Sequence, residues 1–149
     1  MREIMISPVE PGSADWEMLA AFAQACSWSA GPFMAQDMRN GAFTGWERVF
    51  AAMADDEFAG FCTLARKDCI EGLPYCPWIG YVFVAEAFRG QRLSRRLIGT
   101  AEEYARVLGF ENVYLISDHE NFYEKYGYEV IDRKEAPWGS MEKIFRKRL

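Results

Sequence analysis

The run from Trp78 to Leu108 constrains the fold more than any other stretch of the chain. Trp78-Ile-Gly-Tyr-Val-Phe-Val84 is nearly continuously apolar, the pattern of a central strand covered on both faces. Gly80 inside it predicts a bulge or the close approach of another element. A polar loop, Arg89–Ser94, comes next. Leu93, Leu97, Ile98, Ala101, Tyr104, Ala105 and Leu108 then recur at helical spacing, opposite Arg95, Arg96, Glu102, Glu103 and Arg106. Gly109 stands where a left-handed residue ends a helix, and Asn112–Ser117 is the next apolar strand. Strand, helix and strand joined by short links need a right-handed crossover and parallel pairing. Such a unit aims the first amides of the helix, and its positive dipole end, beyond the strand. The loop is therefore an expected site for phosphate or another anion.

The remaining elements are read from spacing and turn chemistry. Glu3–Ser7 predicts a first strand, closed by Pro8-Val-Glu-Pro-Gly12. Ser13 or Asp15 caps a helix whose apolar positions run from Trp16 to about Cys26. A short helix is expected around Phe33–Arg39. Trp46–Met53 and Glu57–Arg66 form a hairpin across Ala54-Asp55-Asp56. His119–Tyr126 reads as a short helix stopped by Gly127, and Tyr128–Lys134 with Met141–Arg146 as an antiparallel pair. The order β, α, (α), β, β, β, α, β, α, β, β gives an α/β fold, or α+β under a strict definition. Residues 1–149 are expected to form a single domain, since the length suits one and no linker interrupts it.

Composition excludes several functions. With net charge −5 and only a C-terminal Arg-Lys-Arg cluster, the chain lacks a stripe of cations for nucleic acid. Cys26, Cys62, Cys69 and Cys76 have no zinc-ligand spacing, and His119 is the one histidine. Neither a metal site nor a disulfide framework is expected. No apolar run approaches membrane-spanning length and no signal core is present, so a cytoplasmic protein without membrane contact is expected.

Two motifs, Phe88-Arg89-Gly90-Gln91-Arg92-Leu93-Ser94 and Asn121-Phe122-Tyr123-Glu124-Lys125-Tyr126-Gly127-Tyr128, together with the element order, resemble the GNAT superfamily of acyl-CoA-dependent N-acyltransferases. The resemblance covers the second half of the chain well, and the first half in element order alone. It implies a mixed, mostly antiparallel sheet with a splayed parallel central pair and helices on both faces. It implies acetyl-CoA as acyl donor, its pyrophosphate on the loop and first helical turn: Arg89, Gly90, Gln91, Arg92, Leu93, Ser94 and Arg95. Backbone groups of Phe83 and Val84 would pair with the pantetheine arm, and Asn121 would hydrogen-bond it. Tyr123 would act as general acid toward the departing thiolate, since a phenol carries its proton at neutral pH. The family loop reads Arg/Gln-x-x-Gly-x-Gly/Ala. Here Arg92 and Ser94 replace the two small residues, and arginine does not take positive φ cheaply.

The base that takes the amine proton is not fixed by the sequence. His119 has suitable chemistry, and Asp118 stands beside it. Asp118 reads equally well as an N-cap and His119 as a cap or surface residue, while Glu71 and a water relay are further options. Trp28, Phe33, Trp46 and Trp138 either line an acceptor cleft or anchor the core. The expected reaction is direct transfer of an acetyl group to a primary amine; a cysteine acyl-enzyme is discounted because nothing places Cys62, Cys69 or Cys76 beside a base. The expected acceptor is a small molecule, and the resemblance admits a homodimer through the C-terminal strands. A non-catalytic acyl-CoA sensor of the same fold is the alternative. A Rossmann-type nucleotide domain fits worse, for want of G-x-G-x-x-G after the first strand.

Overall fold

The computed structural model describes residues 3–149. In chain order the elements are β1 (Ile4–Val9), α1 (Ala14–Ala25), α2 (Gly31–Arg39), β2 (Arg48–Ala54), β3 (Glu57–Ala65), β4 (Trp78–Val84), α3 (Leu93–Val107), β5 (Asn112–Ser117), β6 (Glu129–Glu135) and β7 (Met141–Arg148). Single 3-10 turns occupy Glu86–Phe88 and Tyr123–Tyr126. The strands form a seven-stranded sheet in the order β1-β2-β3-β4-β5-β7-β6. It is mostly antiparallel, with β4 and β5 as the parallel pair in the register Trp78↔Tyr114. The mixed α/β fold is the expected one. β1 runs further than expected, through Pro8 to Val9, because it is an edge strand, where a missing N–H is tolerated.

The chain divides into two compact units, one running to Thr63 and resuming at Tyr81–Ala101, the other made of Leu64–Gly80 and Glu102–Leu149. In the first, Ser13 caps α1, its hydroxyl accepting the Trp16 amide at 3.2 Å. Trp16 Nε1 donates to the carbonyl of Met38 on α2 at 3.3 Å. α2 begins at Gly31, where a Cβ would stand 2.3 Å from the Ala23 carbonyl oxygen, so no larger residue fits between the helices. The core under β2, β3 and β4 holds Val49, Phe50, Phe61 and Leu97, all essentially without exposure. Trp28 stacks on Phe83 at 5.9 Å and 4° between planes, and Phe61 adjoins the same ring at 5.2 Å.

β4 departs from regular geometry at Tyr81 rather than at Gly80. Tyr81 takes φ 48, and its hydroxyl donates to Asp37 Oδ2 at 2.8 Å. Beyond it, β4 runs so close to β3 that a Cβ on Gly60 would lie 2.4 Å from the Phe83 carbonyl oxygen. The Ala85 amide then donates to the Ala59 carbonyl at 2.8 Å.

In the second unit, β7 lies between β5 and β6, with Leu115 opposite Phe145 and Ser117 opposite Lys143. Tyr75 stacks on Tyr114 at 5.0 Å. Tyr128 is buried and donates through its hydroxyl to Glu102 Oε2 at 2.7 Å, while Lys147 Nζ reaches Glu102 Oε1 at 3.1 Å. No helix among the described residues is long and apolar enough to cross a membrane.

The contact at Gly60 gives a direct test. Gly60→Ala forces the β4 backbone away and should destabilise the protein by about 1–3 kcal/mol, the usual range for overpacking. Urea unfolding measures this; an unchanged midpoint would show that β4 yields freely.

Candidate functional site

The first unit carries the loop expected to bind an anion. After β4, the 3-10 turn at Glu86–Phe88 buries Phe88 as an anchor and brings the chain back. Gly90 at φ 84 and Arg92 at φ 58 then reverse its direction. The first bond of α3 runs from the Arg96 amide to the Arg92 carbonyl at 3.2 Å, which puts Leu93, Ser94 and Arg95 in the first turn. First-turn amides and the helix dipole suit an anion there. Arg92 adopts the left-handed backbone that the family's glycine supplies, at a cost of roughly 1–3 kcal/mol for a residue with a side chain. Its side chain is exposed.

Arg89 and the end of β4 differ from expectation. Arg89 Nε donates to the Val84 carbonyl at 3.0 Å, its guanidinium stands 5.8 Å from the Phe83 ring centroid, and it pairs with Glu86 at 3.4 Å. The Val84 carbonyl, expected to be available to a pantetheine amide, is therefore engaged within the protein. The 3-10 turn is the cause, because it folds Arg89 back along the strand. Glu86 also accepts from the Ser27 hydroxyl.

The second unit carries the groups suited to proton transfer. Ser117, the last residue of β5, is only 8% exposed, and its hydroxyl accepts the His119 amide at 3.1 Å. The same oxygen lies 2.7 Å from His119 Nδ1. The His119 and Tyr123 rings meet edge to face at 6.0 Å. Tyr123 is half-buried, its ring 5.4 Å from that of Phe145. Burial pushes its pKa up, the nearby Ser117 hydroxyl opposes that, and the charge of Asp118 adds to it. The phenol therefore holds its proton at neutral pH.

Asp118 and His119 are not at a helix start. The expected helix over His119–Tyr126 is a single 3-10 turn at Tyr123–Tyr126 with Phe122 in the capping position, so Asp118 caps nothing. Instead the Ser117 hydroxyl closes a local turn on the amide two residues ahead, a competing arrangement open to serine. Asn121 takes φ 56, which asparagine tolerates better than most residues. Asp118 Oδ1 lies 3.9 Å from His119 Nδ1, and Lys143 Nζ donates to the His119 carbonyl at 3.3 Å.

Two residues escaped the sequence reading. Ser117 looked like the end of a strand, and only the turn after β5 reveals its neighbours. Asp68 sat unremarked in a loop. Its carboxylate hydrogen-bonds Cys69, and burial pushes its pKa up to about 7. Cys69 is pushed up to about 12, by burial first and then by the Asp68 charge. Cys62 is fully buried, its thiol donating to the Leu97 carbonyl at 3.5 Å, and burial raises its pKa as well. Both thiols stay protonated at neutral pH, which leaves them poor nucleophiles. Of the aromatics considered for an acceptor cleft, Trp28 belongs to the core stack with Phe83, whereas Phe33 and Trp138 are each 64% exposed. Among the described residues, no group of three or more His, Cys, Asp or Glu is arranged to hold a metal ion.

A model of the acetyltransferase (GNAT) family matches residues 15–128, and the chain belongs to that family. No curated protein matches it. Solved structures share the fold at low identity. Aminoglycoside 6'-acetyltransferase type Ii is 19% identical with a TM-score of 0.74, over 97% of this chain and 96% of that one. An aminoglycoside 6'-N-acetyltransferase complexed with coenzyme A is 16% identical with a TM-score of 0.72, over the same shares, 97% and 96%. A GNAT family acetyltransferase from Elizabethkingia anophelis, with acetyl-CoA bound, is 16% identical with a TM-score of 0.69, over 98% of each chain.

Asp68 ties stability to pH. Its folded pKa is raised from 3.8 to about 7, so between those values the folded state holds a proton the unfolded chain has lost. Its contribution is complete below the lower value and disappears as pH rises through the upper one. Asp68→Asn should accordingly raise Tm relative to the parent more at pH 8 than at pH 4. Equal differences at both pH values, measured by scanning calorimetry, would contradict the burial of this carboxyl.

Proposed function

We propose that residues 1–149 act as one acyl-CoA N-acyltransferase domain, moving an acetyl group from acetyl-CoA to a primary amine on a small molecule. The amine attacks the thioester directly, without an acyl-enzyme. Family membership supports acyl transfer, and the neighbours with bound acetyl-CoA and CoA support the donor. The observation that carries the reading is the protonated, half-buried phenol of Tyr123, its ring edge to face with an exposed imidazole at 6.0 Å. That pairing supplies an acid for the leaving sulfur and a base for the attacking nitrogen.

On this reading the pyrophosphate rests on Gly90, Gln91 and the first turn of α3, with Arg89, Arg92 and Arg95 as cationic neighbours. The pantetheine arm follows the backbone at Phe83 and Val84 and meets Asn121. Arg89 releases the Val84 carbonyl as the arm arrives, freeing its guanidinium for a phosphate. Tyr123 protonates the thiolate, and His119, with Asp118 beside it, takes the amine proton.

Purified protein with acetyl-CoA and a panel of amines, aminoglycosides and polyamines included, should release CoA in the presence of at least one amine. Binding of acetyl-CoA with no amine-dependent release would favour an acyl-CoA sensor instead. With a true acceptor, Tyr123→Phe should lower kcat by about a hundredfold or more and leave the Kd for CoA little changed; undiminished turnover would remove Tyr123 from its role. Arg92→Gly should weaken CoA binding several-fold by calorimetry while keeping the fold. Tighter binding would mean that the arginine hinders the phosphates.

A further inference from the structure

Asp37 is a half-buried carboxylate on α2 that no cation neutralises. Its Oδ2 accepts the Tyr81 phenol at 2.8 Å, and among the described residues neither an ion pair nor a second hydrogen bond reaches the carboxylate. Arg39, the nearest cationic residue in sequence, is turned to Glu17, which its Nε and Nη2 reach at 3.2 and 2.8 Å. Residues two apart do not share a helix face. An ionised carboxylate has about four sites that accept hydrogen bonds, and the phenol fills one. A charge partly withdrawn from water without a counter-ion is costly, so this one is suited to a cation from outside the chain.

The surroundings of this carboxylate are aromatic. Trp28 meets the Tyr81 ring edge to face at 6.4 Å and stacks on Phe83 at 5.9 Å. Tyr81 holds φ 48, an outlier of the kind that gathers at ligand sites. Alternation along β3 separates this side of the sheet from the phosphate loop. Gly60 and Cys62 face Leu97 of α3, whereas Phe61 between them faces Phe22 of α1 at 6.2 Å and Trp28 at 6.5 Å. The donor described above would run from the 89–95 loop back past Val84 and Phe83. Its acyl end then points toward Tyr81.

We infer that Asp37, held by Tyr81, anchors a second, non-reacting ammonium group of the acceptor, so that the preferred acceptor is a dication. This rests on the acyltransferase reading above. The reacting nitrogen itself does not suit the anchor. It must lose a proton before it attacks the thioester carbon, and a carboxylate beside an ammonium favours the charged form. A second ammonium meets no such conflict. It keeps its proton, pairs with Oδ1 and lies against the aromatic rings, where cation–π attraction adds to the charge pairing. Fixing that end of the acceptor restricts the other end to fewer orientations, some of which suit attack. The net charge of −5 draws a dication more strongly than a monocation. Asp37 is thus a residue of specificity and positioning, and it makes no bond to the reacting atoms.

Straight-chain diamines of three to six carbons, each matched with the monoamine of equal length, test this as acceptors and as ligands of the CoA-bound protein. With the parent, at least one diamine should show a kcat/KM about tenfold or more above its monoamine, the scale of a hydrogen bond to a charged group. Asp37→Asn keeps an oxygen for the Tyr81 phenol and removes the charge. It should abolish the diamine's advantage, chiefly through KM, and leave both the monoamine and the Kd for acetyl-CoA unchanged. Added salt should shrink the parent's preference and leave the variant's kinetics alone. Calorimetry on the CoA-bound protein should show the same preference, and its loss, without turnover. A parent that prefers no diamine, or a preference that survives Asp37→Asn, overturns the anchor. So does an equal loss for both amines, which would make Asp37 only a strap for Tyr81. Failure of the acyltransferase reading looks different. Diamines then bind, and Asp37→Asn abolishes that binding, but no amine releases CoA; this overturns the reading and the acceptor role with it.

Discussion

Tyr81 adopts φ 48, a backbone conformation that costs a bulky residue roughly 1–3 kcal/mol and persists only where its surroundings over-determine it. Here the surroundings do so from several sides. The phenol donates to Asp37, the ring meets the edge of Trp28 at 6.4 Å, and the next residues are held against Gly60. An ordinary β residue at this point would continue the pleat. Left-handed backbone turns the strand instead and sets the exit direction of Val84 into the loop. The aromatic stack of Trp28, Phe61 and Phe83 beneath it gives that exit a rigid floor, as an interior packed to crystal-like density would.

The loop that follows shows the same economy at a smaller scale. Its reversal needs positive φ at two places, and only one of them, Gly90, is a glycine. Arg92 provides the second under strain. By residue type Arg92 is a mismatch to the motif, whereas its backbone takes the left-handed conformation that glycine adopts without strain. Arg89 illustrates the opposite case: the residue matches the motif, yet its guanidinium caps the strand end that the motif would leave open. Side-chain identity and backbone conformation are thus separate carriers of the loop's geometry.

In the second unit the deciding feature is a local competition. A serine at the end of β5 draws the chain into a turn by accepting the His119 amide, and the helix expected to start there is reduced to one 3-10 turn. That turn brings the imidazole onto the Ser117 hydroxyl and edge to face with the Tyr123 ring at 6.0 Å. The buried hydroxyl is paired, in keeping with the cost of leaving any such group without a partner.

Long-period signals were legible in the sequence. The continuous apolar run of β4, the helical face of α3, the cap at Gly109 and the apolar run of β5 determined the order of elements, because each depends on local chemistry legible along a short stretch of chain. The motifs around Arg89 and Tyr123 determined the family. Single-residue backbone choices were not legible: Tyr81 and Arg92 in left-handed conformation, the turn at Ser117, and the burial that raises the pKa of Asp68. Each of these is imposed by neighbours distant in the chain or by a hydrogen bond that spacing alone does not announce. The sequence by itself therefore determined the architecture and the chemistry expected of it. Tertiary structure decided that one Ser117 hydroxyl meets both the amide and Nδ1 of His119, since that depends on where one strand stops and which amide its last hydroxyl reaches.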